Sequence, residues 1–236
     1  MTLELFREDS YLKHCDAVIT ALSDSGFSCD QTVFYATGGG QPGDTGSVTT
    51  EAGDVFRIND TYKDRESEAH IHCLAEEDRG RLAIGDKVTL TLDWDRRYRI
   101  MRMHSCLHML CATIPAPVTG GSIQDGRGRL DFDLPETVDK QATTDKLNEL
   151  INGDHQMSTR WITDAELDAN PDLVRTLSAP PPRGTGKVRL VEFKNTDLQP
   201  CGGTHVASTV EIGAVRIQKV EKKGKMNRRI IVVFEE

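Results

Sequence analysis

The first part of the chain alternates apolar and polar residues, which is the period of half-buried β-strands. The clearest run is at residues 87–94, where valine, leucine and tryptophan alternate with threonine and aspartate. Shorter runs at 54–59 and 70–74 are separated by turns that contain glycine and proline. Short strands broken by turns predict a small β-barrel, which we assign to residues 1–93.

Helical periodicity follows the last of these strands. Apolar residues recur at helical spacing from Ile100 to Leu110, which predicts a helix that must end before Pro115. A second helix is predicted over residues 136–152, because its apolar residues fall on one face. Gly153 stands where the C-terminal cap of that helix is expected.

Strand patterns return in the C-terminal part of the chain. The predicted strands are residues 120–123, 129–134, 187–193, 213–220 and 228–234. The last three are expected to form one sheet, and Gly224 marks a hairpin between the final two. A capping box of Thr163 and Glu166 opens a short helix, and the proline-rich segment 178–186 predicts an extended loop. Residues 94–236 therefore predict a second, α+β domain.

Composition places the chain among ordinary globular proteins. Its 236 residues are 37% hydrophobic and 28% charged, which is enough for two modest domains. The N-terminus lacks the basic and apolar regions of a signal peptide, and no apolar run is long enough to cross a membrane. We therefore expect a cytoplasmic protein whose six scattered cysteines are reduced.

The net charge of −8 argues against non-specific coating of nucleic acid, because that affinity depends on neutralising phosphates. Basic residues are nevertheless clustered just before His104 and near the C-terminus. Such clusters are most often solvated surfaces. A protein that holds one end of a structured RNA, however, needs only a local positive surface.

Two short motifs supply four side chains of the kinds that bind metals. His104 and His108 are one turn apart on the predicted helix, so both imidazoles lie on one face. Cys201 and His205 flank a Gly-Gly-Thr segment whose glycines let the chain curl, so that a thiolate and an imidazole can converge. Together the four residues predict one tetrahedral Zn²⁺ site.

Familiar zinc proteins fit these motifs poorly. The first motif lacks the glutamate that serves as the general base in H-E-x-x-H proteases. The roughly ninety residues between the motifs are too many for a short zinc finger, so the tertiary fold must assemble the site. A P-loop at the glycine-rich segment 38–46 would need a lysine and a following helix, and both are missing. A buried, enzyme-like site fits better.

Four segments of the chain together match a known pattern. They are residues 34–46 (FYATGGGQPGDTG), 102–108 (RMHSCLH), 199–206 (QPCGGTHV) and 211–217 (EIGAVRI). In order and spacing they resemble the freestanding alanyl-tRNA editing proteins called AlaX, of medium length, and the editing domain of alanyl-tRNA synthetase. The resemblance implies a translation-factor-like N-terminal β-barrel followed by a two-layer α/β editing domain of the threonyl/alanyl-tRNA synthetase type.

The same resemblance implies an activity. It is zinc-dependent hydrolysis of the ester that links serine or glycine to the tRNA for alanine. Such a step is needed because a pocket that accepts alanine cannot exclude glycine by size, and rejecting one added hydroxyl gains only about a hundredfold. The expected partner is therefore mischarged tRNA(Ala), and no membrane is involved.

The resemblance also implies roles for residues outside the metal motifs. Gln41 would hold the terminal adenosine or the ester carbonyl, and Gly39 and Gly40 would contact the substrate beside it. Thr37 is our candidate for reading the serine hydroxyl, with a turn-capping role as the alternative. The basic residues expected to contact the tRNA are Arg102, Lys222, Lys223, Arg228 and Arg229. For Arg228 and Arg229 the alternative is that charges at a hairpin edge simply prevent strand pairing.

Other residues near the motifs have simpler interpretations. Asp44, in a Gly-Asp-Thr-Gly turn, is expected to bond the turn backbone rather than to act as a base. Asp131 and Asp133 fall on the outward phase of a predicted strand and are expected to be exposed. Cys106, between the two histidines, is expected to point away from them into the core.

The sequence leaves several alternatives open. Cys201 is either a permanent fourth ligand or an exchangeable one, and we favour three histidines with an exchangeable fourth position, because hydrolysis requires an open site. A catalytically silent, zinc-stabilised tRNA-binding adaptor and a deacylase of a different mischarged tRNA are the other functions that fit. Oligomeric state and the preference between serine and glycine are not determined.

Overall fold

The computed structural model describes residues 2–176 and 186–235. The chain divides into two units, Met1–Arg99 and Ile100–Glu236, and the division falls within the longest helix. None of the helices in these described ranges combines the length and the apolar character that crossing a bilayer requires.

A closed barrel forms the first unit. Its strands are β1 (Leu3–Glu4), β2 (His14–Ser23), β3 (Gly26–Cys29), β4 (Gln31–Thr32), β5 (Gly46–Thr50), β6 (Val55–Lys63), β7 (His70–Leu74) and β8 (Lys87–Leu92). Six of them close into the barrel in the order β2-β3-β7-β6-β5-β8, while β1 and β4 pair in parallel. Single 3-10 turns follow β1 and β7, at Leu5–Arg7 and Glu76–Asp78. The predicted β-barrel is confirmed.

The barrel core follows the alternation in the sequence. Val88, Leu90 and Leu92 of β8 are buried, whereas the residues between them are more exposed. The prediction that this strand continues to Trp94 was wrong, because Trp94 begins the next helix. The backbone N–H of Arg97 donates to the carbonyl of the residue before Trp94, at 3.0 Å, which is the first bond of that helix.

Helices and two sheets form the second unit. Its elements are α1 (Trp94–Thr113), β9 (Val118–Gln124), β10 (Arg127–Asp133), α2 (Lys140–Asn152), β11 (Met157–Ile162), α3 (Asp164–Asp168), β12 (Val188–Phe193), β13 (Asp197–Pro200), β14 (Val215–Lys222) and β15 (Asn227–Phe234). Helix α1 begins in the first unit and ends in the second. Single 3-10 turns occur at Pro171–Leu173 and Thr209–Ile212. A mixed α and β composition was predicted and is confirmed.

The grouping of the strands differs from the prediction. Strands β14, β15, β10 and β9 form one antiparallel sheet in that order, and β11, β12 and β13 form another. The hairpin between β14 and β15 is confirmed, but β12 does not join their sheet. Alternation reveals that a segment is a strand and which residues share a face, but it carries no information about the neighbouring strand.

Helix boundaries follow local capping. Helix α2 begins four residues later than predicted, because the side chain of Asp139 accepts the backbone N–H of Ala142 and caps the helix there. Gly153 is its C-terminal cap, as predicted, with ordinary right-handed backbone. The capping box of Thr163 and Glu166 is confirmed at the start of α3. The predicted loop at 178–186 lies, except for its last residue, outside the described residues.

The four-stranded sheet has one face against helices. A Cβ on Gly128 of β10 would lie 2.7 Å from the sulfur of Met103 and 2.9 Å from a methyl of Leu107, so α1 packs closely on this face and a larger residue would force these side chains to move. Helix α2 contacts the same sheet through Asn148, whose side chain bonds the backbone of Val215 on β14. The opposite face of the sheet carries the charged residues.

A buried ion pair fastens the glycine-rich segment within the first unit. Arg97, on the first turn of α1, is fully buried and donates through Nε to both carboxylate oxygens of Asp44, at 2.9 and 3.0 Å. It also donates to the backbone carbonyls of Ser10 and Val33. Asp44 accepts the backbone N–H of Tyr35, so it bonds backbone as predicted, but outside its own turn, and its arginine partner was not foreseen.

Replacing Arg97 by methionine should destabilise the protein by about 3 to 5 kcal/mol, because the carboxylate of Asp44 would remain buried without its partner. Urea denaturation measures the loss. The double variant Arg97→Met/Asp44→Asn should lose less than the sum of the two single variants, since the lone charge is also removed. Arg57→Met is the control: its pair with Asp93 is exposed, so its loss should stay within about 1 kcal/mol. Strict additivity would contradict this account.

Candidate metal centre

Helix α1 presents two histidines side by side. His104 and His108 occupy successive turns of the helix, and their ring centroids are 5.3 Å apart. His108 is buried and His104 is partly exposed. Cys106, which lies between them in sequence, is fully buried, as predicted.

The second pair of donors comes from an irregular loop after β13. The loop is held by Arg189 of β12, whose Nη1 donates to the carbonyls of Cys201 and Gly203 at 3.1 and 3.0 Å. At its other end, the backbone N–H of Val206 donates to the hydroxyl of Ser105 on α1, at 3.1 Å. These bonds fix both ends of the loop without regular secondary structure.

Glycine conformation plays a smaller role in this loop than the sequence suggested. Neither Gly202 nor Gly203, both within the described residues, has a positive φ. The curl of the loop therefore does not depend on left-handed backbone, and the side-chain bonds of Arg189 and Ser105 hold it instead.

The four donors converge on one point. The donor atoms of His104, His108, Cys201 and His205 all lie within 4.8 Å of one another. The sulfur of Cys201 is 3.5 Å from Nε2 of His104 and of His205, and Nε2 of His205 is 3.1 Å from Nε2 of His108. Ideal metal bonds of zinc length would place such donors about 3.6 Å (S to N) and about 3.3 Å (N to N) apart. The four residues could therefore hold one metal ion.

The protonation states of His205 and Cys201 suit a metal. Burial lowers the pKa of His205 to about 3, so its imidazole is neutral at pH 7. Burial would raise the pKa of the Cys201 thiol, but the neighbouring His104 and His205 outweigh it and hold that pKa well below its usual value. A neutral imidazole and a thiolate are the forms that bind metal ions.

Asp197 orients one of the histidines. Its Oδ2 is 2.7 Å from Nδ1 of His108, and the amide of Gln199 donates to the same oxygen at 2.8 Å. Burial alone would lower the pKa of His108, but the bonds to Asp197 and Cys201 raise it to about 10. A carboxylate on Nδ1 leaves Nε2 directed at the metal site, which is the arrangement common behind metal-binding histidines.

Sequence reasoning missed Asp197. It lies four residues before Cys201, at the start of a strand that was itself not predicted, and nothing in its local pattern marks it. Only the packing of β13 beside α1 brings its carboxylate to His108.

The glycine-rich segment, in the first unit, forms a tight turn. Gly38 and Gln41 exchange backbone hydrogen bonds, and Gly39 and Gly40 between them have φ of 56° and 83°. Positive φ at both central positions is the type I′ turn that glycine favours. The side chain of Gln41 is buried, whereas Gly39 and Gly40 are exposed.

Thr37 closes the base of this turn. Its hydroxyl donates to the carbonyl of Thr61 at 3.2 Å and accepts the backbone N–H of Gly43 at 2.8 Å. The alternative of a turn-capping threonine is thereby supported. A hydroxyl oxygen has two lone pairs, so one acceptor site remains beyond these bonds.

The predicted RNA-contacting residues have different environments. Arg102 donates to the carbonyl of Ile212 through Nε and Nη2, at 3.0 and 2.8 Å, and its guanidinium lies over the ring of Phe234. Arg228 is buried and donates to several backbone carbonyls, among them Glu136 and Gly224. The expectation that Arg228 faces RNA is corrected, because its guanidinium is used inside the fold.

The remaining candidates lie on the surface of the second unit. Lys222 and Lys223 are exposed in the hairpin between β14 and β15. Arg229 pairs with Asp131 through two bonds of 2.8 Å. Asp131 is therefore only partly exposed, contrary to the prediction, whereas Asp133 is exposed as predicted.

Comparisons with known proteins cover both units. The family model described as "Threonyl and Alanyl tRNA synthetase second additional domain" matches residues 188–231. The model described as "tRNA synthetases class II (A)" matches residues 10–96. Each match therefore falls mainly within one of the two units.

Full-length relatives carry one name. The alanyl-tRNA editing proteins AlaX-M of Methanosarcina barkeri and Saccharolobus solfataricus are 35% and 32% identical, each over 98% of this chain and 98% of their own length. An alanine–tRNA ligase of Sulfurisphaera tokodaii is 34% identical over 94% of this chain, which corresponds to 25% of the ligase.

Replacing Asp197 by alanine should lower the affinity for zinc by about 10- to 100-fold, because His108 loses the group that orients it. Competition with a chromophoric chelator measures this affinity. Asp145→Ala, at an exposed position on α2, is the matched control and should leave the affinity unchanged. Equal affinities for the two variants would show that Asp197 does not act on the metal site.

Proposed function

The chain belongs to the AlaX-M family of alanyl-tRNA editing proteins, and on this premise we propose that it is a trans-acting, zinc-dependent deacylase of mischarged tRNA(Ala) in the cytoplasm. Its substrates would be the esters of serine and glycine with that tRNA. The observation that carries the proposal is the convergence of four metal-binding donors, His104, His108, Cys201 and His205, within 4.8 Å of one another. The barrel of the first unit would be the translation-factor-like barrel that the resemblance implies.

The donor set fits zinc by chemistry as well as by spacing. Imidazole and thiolate are the ligands that zinc prefers, and harder ions such as magnesium prefer oxygen. When bound, the ion would supply Lewis-acid catalysis for ester hydrolysis. The chain would contribute the fixed positions of the donors, which Arg189, Ser105 and Asp197 maintain.

Cys201 is the proposed exchangeable position. The side chains of His108 and His205 are buried, whereas Cys201 and His104 are partly exposed. Three histidines would hold the ion, and the partly exposed sulfur would give way to substrate or water, because a catalytic zinc site keeps one position open.

Substrate selection would depend on the glycine-rich segment. Thr37 keeps one acceptor site on its hydroxyl and is exposed, so it would accept a hydrogen bond from the serine hydroxyl. A site that bonds a substrate hydroxyl rejects the analogue without it by about 10⁴-fold, which would spare correctly charged alanine. Gln41 would position the terminal adenosine or the ester carbonyl.

Zinc-loaded protein should hydrolyse Ser-tRNA(Ala) and Gly-tRNA(Ala) and spare Ala-tRNA(Ala). Loss of radiolabelled amino acid from each tRNA measures the reaction. Serine and threonine esters of their own tRNAs are assayed in parallel as comparison substrates. Chelation should abolish the activity, and added zinc should restore it. Hydrolysis of another ester alone would favour a different editing substrate. If the protein hydrolyses none of these esters in the presence of zinc, the deacylase is contradicted, and the tRNA-binding adaptor is the remaining function.

Replacing Cys201 by alanine should leave one zinc ion per chain at saturating zinc, with weaker affinity, because three histidines remain. Metal analysis and chelator competition measure stoichiometry and affinity. Cys73→Ala, a partly exposed cysteine in the barrel, is the matched control and should change neither. If the zinc content of Cys201→Ala collapses together with activity, Cys201 is a permanent ligand and the open-site proposal fails.

A further inference from the structure

We propose that the charged face of the four-stranded sheet β14-β15-β10-β9 binds the phosphate backbone of the tRNA. The inference rests on the proposed function for the identity of the RNA. The surface itself is defined by strand register, charge and exposure within the second unit.

Strand register places basic side chains on one face. Arg127, Arg129 and Asp131 of β10 alternate with residues that pack towards α1. Their partners on β15 are Val233, Ile231 and Arg229, and the partners of these on β14 are Arg216, Lys219 and Glu221. Directly paired residues of antiparallel strands point to the same side, so these nine positions share the face opposite the helices.

The face is positively charged on an acidic chain. Five of the nine positions are basic and two are acidic, whereas the whole chain carries a net charge of −8. Arg127, Arg216 and Lys219 are exposed. The exposed Lys223, which pairs with Glu221 at 2.9 Å, continues the same positive surface at the end of the sheet. A polyanion would be attracted to this face although the chain as a whole is acidic.

The two acidic residues hold basic groups in place without neutralising the face. Asp131 bonds Arg229 at 2.8 Å and lies 3.4 Å from Arg129. Glu221 pairs with Lys219 at 2.5 Å and with Lys223 at 2.9 Å. Each carboxylate thus serves two cations, and each cluster keeps one positive charge. Cations that are already ordered lose less conformational entropy when they bind phosphate.

The spacing of the cations suits a repeating polyanion. Alternate residues of a strand are about 7 Å apart and neighbouring strands about 5 Å apart. The face is therefore a grid of fixed positive charges rather than a single anion pocket. RNA offers phosphates at regular intervals along its backbone, and its binding energy comes mainly from neutralising them. An acidic protein is the competing occupant, and the test below separates the two.

The double variant Arg127→Gln/Arg216→Gln tests the surface. Both residues are exposed and lie outside the two carboxylate clusters, so the fold and the metal site should be unaffected. The matched control is Lys140→Gln/Lys146→Gln, which removes the same charge from exposed positions on α2, outside the nine positions of the face. The full chain with zinc is used throughout, and unfolding curves and zinc content verify its integrity.

Fluorescence anisotropy with uncharged tRNA(Ala) measures the affinity at several salt concentrations. The double variant should bind about tenfold more weakly near 0.1 M salt, and the slope of log K against log salt should fall by about two, because two phosphate contacts are lost. In deacylation assays the weaker tRNA binding should raise KM. The control should keep the wild-type affinity and slope.

Two results would contradict the proposal that this face binds tRNA. If the double variant keeps the wild-type affinity and slope, the face does not bind tRNA, and an acidic protein is the remaining occupant. If light scattering also shows an altered oligomeric state, the occupant is a second copy of this chain. Equal weakening in the control would show that only net charge matters. The proposed function is tested separately: a chain that hydrolyses no mischarged tRNA, yet loses tRNA binding in the double variant only, would keep this surface and refute the deacylase.

Discussion

The metal site requires four donor atoms to lie within 4.8 Å of one another. They come from two segments of the chain, and 97 residues separate His104 on the first from Cys201 on the second. The helix aligns its own pair, because residues four apart share a face. The loop has no such regularity, so other groups must hold it. Arg189 bonds two of its carbonyls, Ser105 bonds its far end, and Asp197 sets the ring of His108. The donor set depends on these contacts as much as on the ligands themselves.

Buried arginines are used in the same way in both units. Arg97 in the first unit and Arg189 in the second donate to carbonyls of irregular backbone, and so does Arg228 elsewhere in the second unit. The partly buried Arg102 donates in the same way to the carbonyl of Ile212. The guanidinium suits this use, because it carries five donors in a rigid plane and never loses its charge. A loop carbonyl that is withdrawn from water needs such a donor, since an unpaired one is costly. These arginines fix the functional segments from inside.

This internal use changes how the basic clusters of the sequence should be interpreted. Arg228 and Arg229 are adjacent in sequence and were expected to act together, but strand alternation directs them to opposite faces of β15. Arg228 donates its hydrogen bonds to backbone carbonyls inside the fold. Arg229 lies on the open face, where it and Arg129 both bind Asp131. Conversely, Arg127 and Arg216 are far apart in sequence and share that face. Charge clustering along the chain is therefore a poor guide to charge clustering on a sheet.

The sequence by itself determined the features that depend on neighbouring residues. Alternation predicted the barrel strands and the final hairpin, helical spacing paired His104 with His108, and the two motifs named all four donors. Capping signals located α3 and the end of α2. Each of these follows from local backbone geometry, which repeats every two or every 3.6 residues. What only the tertiary structure decided were the long-range partners: β12 in a separate sheet, Asp44 with Arg97, Asp197 behind His108, and the basic face of the large sheet. No local pattern encodes them, because they depend on which segments pack together, and packing is a property of the whole chain.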